Sequence, residues 1–465
     1  MDRIREVVKE SGIDLEVDDE LDGVAAALGV GVDGAGEEIL DEFWVTSVTL
    51  VRQGEAKTAE EAPDVDAWPV LQQLRAAGLE DSMVGLNHIV VACADFTGTP
   101  YWSPTPYWSP TSPYWSPTPY WSPTGPGEYA IPGSGGRSPA AVVLPDPATT
   151  TAGLKRAPVV VVPDTGLGPH PWFADPSSAT SHVEVSGVLL GLDGPMNTLP
   201  PAQMNPLNGS LSPYVGHGTF IAGLIRQRCP GARILGVPVL GGDGVVTESL
   251  LIQTLVALLI RQAQALASGS ADDLLDVLCL SLGYYYEDPS DAATDAMLRR
   301  VSTGFGQRGV TVVAAAGNDA TLTPFHPAAF AGQVAGFHAD LIPVVSVGGL
   351  NPNGRDVAYF CNAGPWVSCH RMGANLISTL PTDMNGDRQA SVALKHDGLN
   401  RATIDPDDFT GGFGTWSGTS FAAPVLAGQL AQHLASDPST PEVEQRVAVE
   451  RGWRAVSHEL PGWAP

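Results

Sequence analysis

Four polar residues stand where apolar runs give way to glycine-rich turns, and their types suit acyl transfer. Ser420 lies in GTWSGTSFAAP, which runs directly into the apolar-periodic stretch VLAGQLAQHL. Gly418 permits a sharp turn and Pro424 is expected within the first helical turn, which places the hydroxyl at a helix N-terminus. Free N–H groups and the helix dipole favour a developing oxyanion there. A serine at that position is equally suited to capping the helix. His217 opens a second helical pattern, GHGTFIAGLIRQR, with Ile221, Leu224 and Ile225 on its inner face. A single histidine there also reads as a satisfied core residue. Asp164 ends the buried run PVVVVPDTG, where a lone Asp-Thr-Gly is only a strand-to-turn signal. Asn318 closes GVTVVAAAGN. A hydroxyl, an imidazole, a carboxylate and an amide are what nucleophilic catalysis needs to attack, move a proton, orient the base and bind an oxyanion.

The elements that must position these groups are legible from Ala157 onward. PVVVVPDTG, DVLCLSLG and GVTVVAAAGN are short β-branched runs, each ending in glycine or a polar residue. VTESLLIQTLVALLIRQAQALA and DAATDAMLRRVSTGFGQRG lie between them with helical periodicity. Strands alternating with helices of this length predict βαβ units and a largely parallel sheet covered on both faces, an α/β architecture. Reactive groups in such sheets belong at the carboxyl ends of strands, which points to Asp164, Gly283 and Asn318.

The order Asp164, His217, Ser420 is that of the subtilisin form of the serine triad. DTG, HGT and GTSFAAP resemble the three signature segments of the subtilisin-like (subtilase, S8) serine peptidases, over about residues 157–440. AAAGN is similar to the family's oxyanion-hole segment and SLG to its substrate-binding strand. The resemblance implies a three-layer α/β/α sandwich and a serine endopeptidase. It makes Ser420 the nucleophile, His217 the general base, Asp164 its orienting partner and Asn318 an oxyanion donor. Substrate would lie on Ser281, Leu282 and Gly283 and on Ala315, Ala316 and Gly317. No cofactor is required. Members often carry structural calcium, but the sequence does not locate a site: DMNGD has the first spacing of a calcium loop and lacks a glutamate at its twelfth position. Two intervals are longer than a minimal member needs, one between Asp164 and His217, the other Pro381–Phe409 near the expected cleft. Tyr284, Tyr285 and Tyr286 follow SLG and either crowd the pocket or form a surface hairpin.

The remaining chain divides by composition. Residues 1–98 read as a small acidic α+β domain, with a strand over Phe43–Val51, a helix over Ala67–Gly78 and a strand over Asn87–Phe96. They do not display the strand and helix order of the common subtilase prodomain, and their role is either a pro-function or partner recruitment. Residues 1–66 alone carry 19 acidic and 5 basic side chains. Residues 99–148 read as a linker containing PYWSPT repeated four times over Pro100–Thr124, and residues 149–465 as the peptidase domain. Proline at this density excludes helix and central strand and leaves a polyproline II rod of roughly 75–80 Å. Four of the eleven tryptophans and four of the ten tyrosines lie in it, so it is either a spacer or a strip for a protein partner. The net charge of −27 argues against nucleic acid or anionic membrane as partners. With no signal peptide or membrane span in view, the expected location is cytoplasmic. Five cysteines have no metal-ligand spacing; Cys279 is expected as a buried thiol, and Cys361 and Cys369 are a candidate disulfide only under oxidising conditions. A catalytically silent peptide-binding module is the competing reading of the same fold.

Overall fold

The computed structural model describes residues 2–9, 11–17, 24–29, 34–52, 65–79, 84–93, 129, 136–143, 145–147, 154–192, 207–286, 297–333, 337–439 and 442–465. The PYWSPT repeat lies outside them.

Seven strands form the central sheet: β1 (Val159–Asp164), β2 (Ala179–Thr180), β3 (Arg233–Pro238), β4 (Val277–Leu280), β5 (Thr311–Ala315), β6 (Val345–Leu350) and β7 (Cys369–Met372). They lie in the order β7-β6-β5-β4-β1-β3-β2 and every pair is parallel. The β-branched runs are continuous rather than alternating because both faces are covered; all six residues of β1 are buried. Five helices accompany the sheet: α1 (His217–Arg228), α2 (Glu248–Ser268), α3 (Met297–Gln307), α4 (Thr419–Ser436) and α5 (Gln445–Glu459). Thr247 caps α2 by accepting the Leu250 N–H at 3.4 Å, and Gly269 ends it in the left-handed conformation. Among the described residues α2 is the one helix long and apolar enough to cross a membrane, and 72% of its most apolar window is buried inside the fold.

The strand order reverses at β1, whose neighbours are β3 on one side and β4 on the other. Such a reversal places a crevice at the carboxyl ends of the flanking strands, which is where α/β sheets bind their ligands. Pro381–Phe409 packs its base behind this crevice, with Leu380 and Met384 buried, and projects an exposed hairpin of Ala393–His396 and Leu399–Ala402. Within the stretch read as a linker, Ser138–Pro139 pairs with Phe413–Trp416 beside α4.

Residues before 94 make a second, smaller core of Val8, Ile13, Leu15, Val70, Leu74 and Leu79. Ile13–Val17 pairs antiparallel with Val48–Arg52, so the observed strand starts five residues after Phe43, which instead ends the helix Gly34–Phe43. Phe43 turns inward with Ile39 and joins the main core. The helix Ala67–Ala76 and the strand Ile89–Ala92 lie within their expected spans. All five cysteines are free thiols, so Cys361 and Cys369 are not paired; the Cys361 sulfur accepts the Gly349 N–H at 3.3 Å instead.

Candidate active site

Asp164 is the last residue of β1, fully buried, and its Oδ1 accepts the N–H of Thr165 at 2.7 Å. His217 is the first residue of α1 and is also fully buried. Gly216 before it has φ +82°, and a Cβ there would stand 2.8 Å from Leu380 and 2.9 Å from Pro381. Only glycine turns the chain so tightly under that loop. The turn aims the imidazole at the sheet: Nδ1 lies 2.9 Å from both carboxylate oxygens of Asp164. That hydrogen bond fixes Nδ1 as the protonated nitrogen and leaves Nε2 as the basic one.

Ser420 is the second residue of α4 and fully buried. Pro424 stands past the first turn, as the sixth residue of the helix, which corrects the sequence expectation. It has no N–H to give the carbonyl four residues earlier, that of Ser420. The Ser281 hydroxyl supplies the missing donor at 2.8 Å. The Ser420 Oγ donates to the Ser281 carbonyl at 3.2 Å, and His217 Nε2 is buried with no hydrogen-bond partner among the described residues. Asp164 and His217 are therefore joined, and the Ser420 hydroxyl is bonded to Ser281 and not to His217.

Asn318 follows β5. Gly317 before it has φ +96° and would drive a Cβ to 2.3 Å from the Asn362 amide. The Asn318 Oδ1 accepts from the Thr419 backbone N–H at 2.9 Å and from its hydroxyl at 2.8 Å. This anchor orients the Nδ2 group, which donates to the backbone carbonyl of Cys93.

That contact was not legible in the sequence. Ile89–Ala92 runs antiparallel between two strands of the crevice, pairing with Val245–Thr247 on one side and Leu282–Gly283 on the other. The Cys93 N–H donates to the Ser281 carbonyl at 3.0 Å. Ser281, Leu282 and Gly283 thus lie against an extended segment of this same chain. Ala315 pairs with Val347, the Ala316 N–H bonds to Val347, and the Gly317 N–H bonds to the Thr419 hydroxyl. These three frame the end of the sheet. The Cys93 thiol is pushed well above its ordinary range by burial and by the charges of Asp319 and Asp164, against a hydrogen bond with Ser420. It is a neutral thiol beside Ser420. The strand signal in NHIVVACADF was readable, but its pairing partners, more than 150 residues away, are not encoded in any local pattern.

Tyr284, Tyr285 and Tyr286 line the crevice instead of forming a surface hairpin. Tyr285 donates to Asp319 at 2.6 Å and accepts from Asn362 at 2.8 Å. Burial and the Asp319 carboxylate push its phenol upward. Among the described residues, no group of three or more His, Cys, Asp or Glu is placed to hold a metal ion, Asp383 and Asp387 of DMNGD included.

A seven-stranded parallel sheet with Asp164 and Asn318 at the carboxyl ends of two strands and His217 and Ser420 at the starts of two helices defines an α/β class, and the family model described as Subtilase family matches residues 155–453. The chain belongs to the subtilase family. It is 28% identical over 282 residues to the thermophilic serine proteinase of Bacillus sp. (strain AK1), covering 58% of this chain and 53% of that protein. It is 27% identical to subtilisin BL of Lederbergia lenta, over 64% of this chain and 85% of that one. The major intracellular serine protease of Bacillus subtilis (strain 168) is 26% identical, over 48% and 56% respectively. The chain thus spans about half the length of two of these relatives.

Proposed function

We propose that the protein is a serine endopeptidase and that residues 89–93 occupy its cleft as its own first substrate. The observation that carries the reading is the seating of that segment, paired on both edges, with the Cys93 carbonyl on the Asn318 amide beside Ser420. A carbonyl held there is polarised before attack, and the same donor serves the oxyanion that follows.

In the reaction, Ser420 rotates from the Ser281 carbonyl to His217 Nε2, which takes its proton. The Oγ forms a bond to the Cys93 carbonyl carbon. Asp164, held on Nδ1, stabilises the imidazolium without taking the proton. The tetrahedral oxyanion rests on the Asn318 amide and the Ser420 N–H. Collapse breaks the Cys93–Ala94 bond, and His217 hands its proton to the departing Ala94 amine. Water, activated by the same imidazole, then hydrolyses the Ser420 ester and releases the Cys93 carboxylate. A product still paired along both edges would stay as an inhibitor until displaced, which gives the small core before residue 94 a pro-function. The cut would leave the PYWSPT repeat near the new N-terminus of the peptidase part.

A second reading, a silent peptide-binding module, draws on the same rotamer: Ser420 is bonded to Ser281 and Nε2 of His217 is unpartnered among the described residues. Intact-mass measurement of the full-length chain with a fluorophosphonate probe, beside Ser420→Ala, separates the two. The peptidase reading expects one adduct and a mass loss matching residues 1–93 in the wild type, and neither in the variant. A wild type that gains no adduct and keeps its full mass would leave the binding module as the better account.

A further inference from the structure

We propose that the cleft contains a subsite for an imidazole six residues before the bond to be cut, built from Glu248, Tyr284 and Tyr286. The proposal rests on the reading above, in which residues 88–93 lie as substrate does and Cys93 supplies the reacting carbonyl.

Counting back from Cys93, the side chains alternate: Ala92 and Val90 are buried, while Val91 and Ile89 are 38% and 58% exposed. His88, the sixth, turns inward again, as the two-residue strand period requires. It meets a built site. The imidazole Nδ1 donates to Glu248 Oε2 at 2.5 Å, and the His88 backbone N–H reaches the same oxygen at 3.4 Å. The Glu248 N–H donates back to the His88 carbonyl at 2.8 Å. The other carboxylate oxygen accepts the Tyr284 hydroxyl at 2.5 Å. The Tyr284 ring stacks on the imidazole at 4.6 Å and 19°, and Tyr286 meets it edge-on at 5.0 Å and 80°.

The chemistry of this cage selects. With this segment in place Glu248 is only 6% exposed, and a carboxylate so covered requires donors. Tyr284 satisfies one oxygen, and an occupant that shuts water away from the other must supply a donor to it. A site built around a hydrogen bond rejects an analogue lacking the donor far more strongly than an apolar pocket rejects a missing methyl group. The parallel tyrosine face favours a flat ring over a lysine stem, so the matching donor is a histidine at that position of a peptide.

The test uses the full-length protein and internally quenched peptides of the sequence LNHIVVACADF, with the histidine present or replaced by alanine. Both are supplied together, so they compete for the same free cleft. Their kcat/KM ratio is then insensitive to how many molecules still hold their own segment. The expected ratio is about tenfold or more in favour of histidine. It should fall below about threefold in Glu248→Gln, whose neutral amide keeps the shape and loses the charge. Alanine in place of the isoleucine, whose counterpart Ile89 is exposed, should leave the rate within about twofold. Equal rates for the histidine and alanine peptides, with product masses marking a cut after cysteine, would overturn the subsite alone. A cut at another bond would overturn the register and the subsite with it. Hydrolysis of none of the peptides, with the chain keeping its own full mass over the same incubation, would overturn the peptidase reading and, with it, this proposal.

Discussion

Asn318 works in two directions at once. Its oxygen is fixed by two donors from Thr419, and its nitrogen is thereby aimed at the Cys93 carbonyl. Deleting the side chain would disturb both ends, so the informative change is Asn318→Asp. It retains the acceptor for Thr419, removes the donor and sets a negative charge against the developing oxyanion. Loss of such an amide costs on the order of 10²–10³ in kcat, a magnitude established on subtilisin itself, and the added repulsion deepens it. Single-turnover hydrolysis should therefore slow by at least that factor. Rates within a few-fold of wild type would mean that the amide is not the oxyanion donor. Ser420 tells a related story at the same scale. Its hydroxyl donates to the Ser281 carbonyl and not to His217, and hydrogen bonds between a nucleophile and its base often tighten only when substrate is strained toward the transition state.

The helix that carries Ser420 shows how an element solves a local problem through a distant partner. Pro424 orphans the Ser420 carbonyl, and the Ser281 hydroxyl satisfies it from the end of β4. Ser281→Ala would strand a buried acceptor, a loss of about 1–3 kcal/mol. Pro424→Ala restores an N–H four residues on, which can serve the same carbonyl. The two changes should thus be non-additive: the Ser281→Ala penalty, read from urea denaturation, should shrink to less than half in the Pro424→Ala background. A penalty unchanged by the second substitution would show that the carbonyl does not link them. This pairing also marks what was readable from sequence. DTG, HGT, AAAGN and GTSFAAP each announced an element end, and the strand-and-helix alternation fixed the sheet that gathers them, because those signals are local. The expectation that Pro424 falls in the first turn erred because the serine itself is helical and the cap lies at Gly418. The strand reading of Phe43–Val51 began too early because Phe43 is apolar for a helix packed on the core, where Arg300 stacks over its ring at 5.6 Å. Nothing local distinguishes those two uses of one aromatic residue. The cleft partner of NHIVVACADF was hidden for the complementary reason, since antiparallel pairing is decided by whatever edge stands open in the assembled fold.

Across the whole molecule, the segment in the cleft is one seam of a longer join. Gln253 of α2 donates to the Val45 carbonyl at 2.8 Å, Asn87 exchanges hydrogen bonds with Ser249 at 2.9 and 3.0 Å, and Val90 is fully buried in the main core. His326 sits behind this seam. Its backbone pairs both ways with Tyr284 at 2.9 Å, while its ring packs on Tyr286 and Phe330 with neither nitrogen hydrogen-bonded among the described residues. Burial first, and the nearby charge of His88 second, lower its pKa from 6.5 to about 4. Between those values the unfolded chain binds the proton and the folded chain does not, so stability is present above pH 6.5 and is lost as pH falls toward 4. From pH 7 to pH 5 this one ring should account for a loss of about 2 kcal/mol. His326→Phe keeps the ring contacts and removes the proton site. Its urea midpoint should therefore fall less than that of wild type between pH 7 and pH 5, by an amount matching that 2 kcal/mol, with His170, another buried histidine lowered to about 4, still contributing in both proteins. Should the variant lose as much as wild type over the same interval, the acid sensitivity would lie elsewhere. A match would mean that acid loosens the wall behind the cleft, and with it the edge on which residues 89–93 are held.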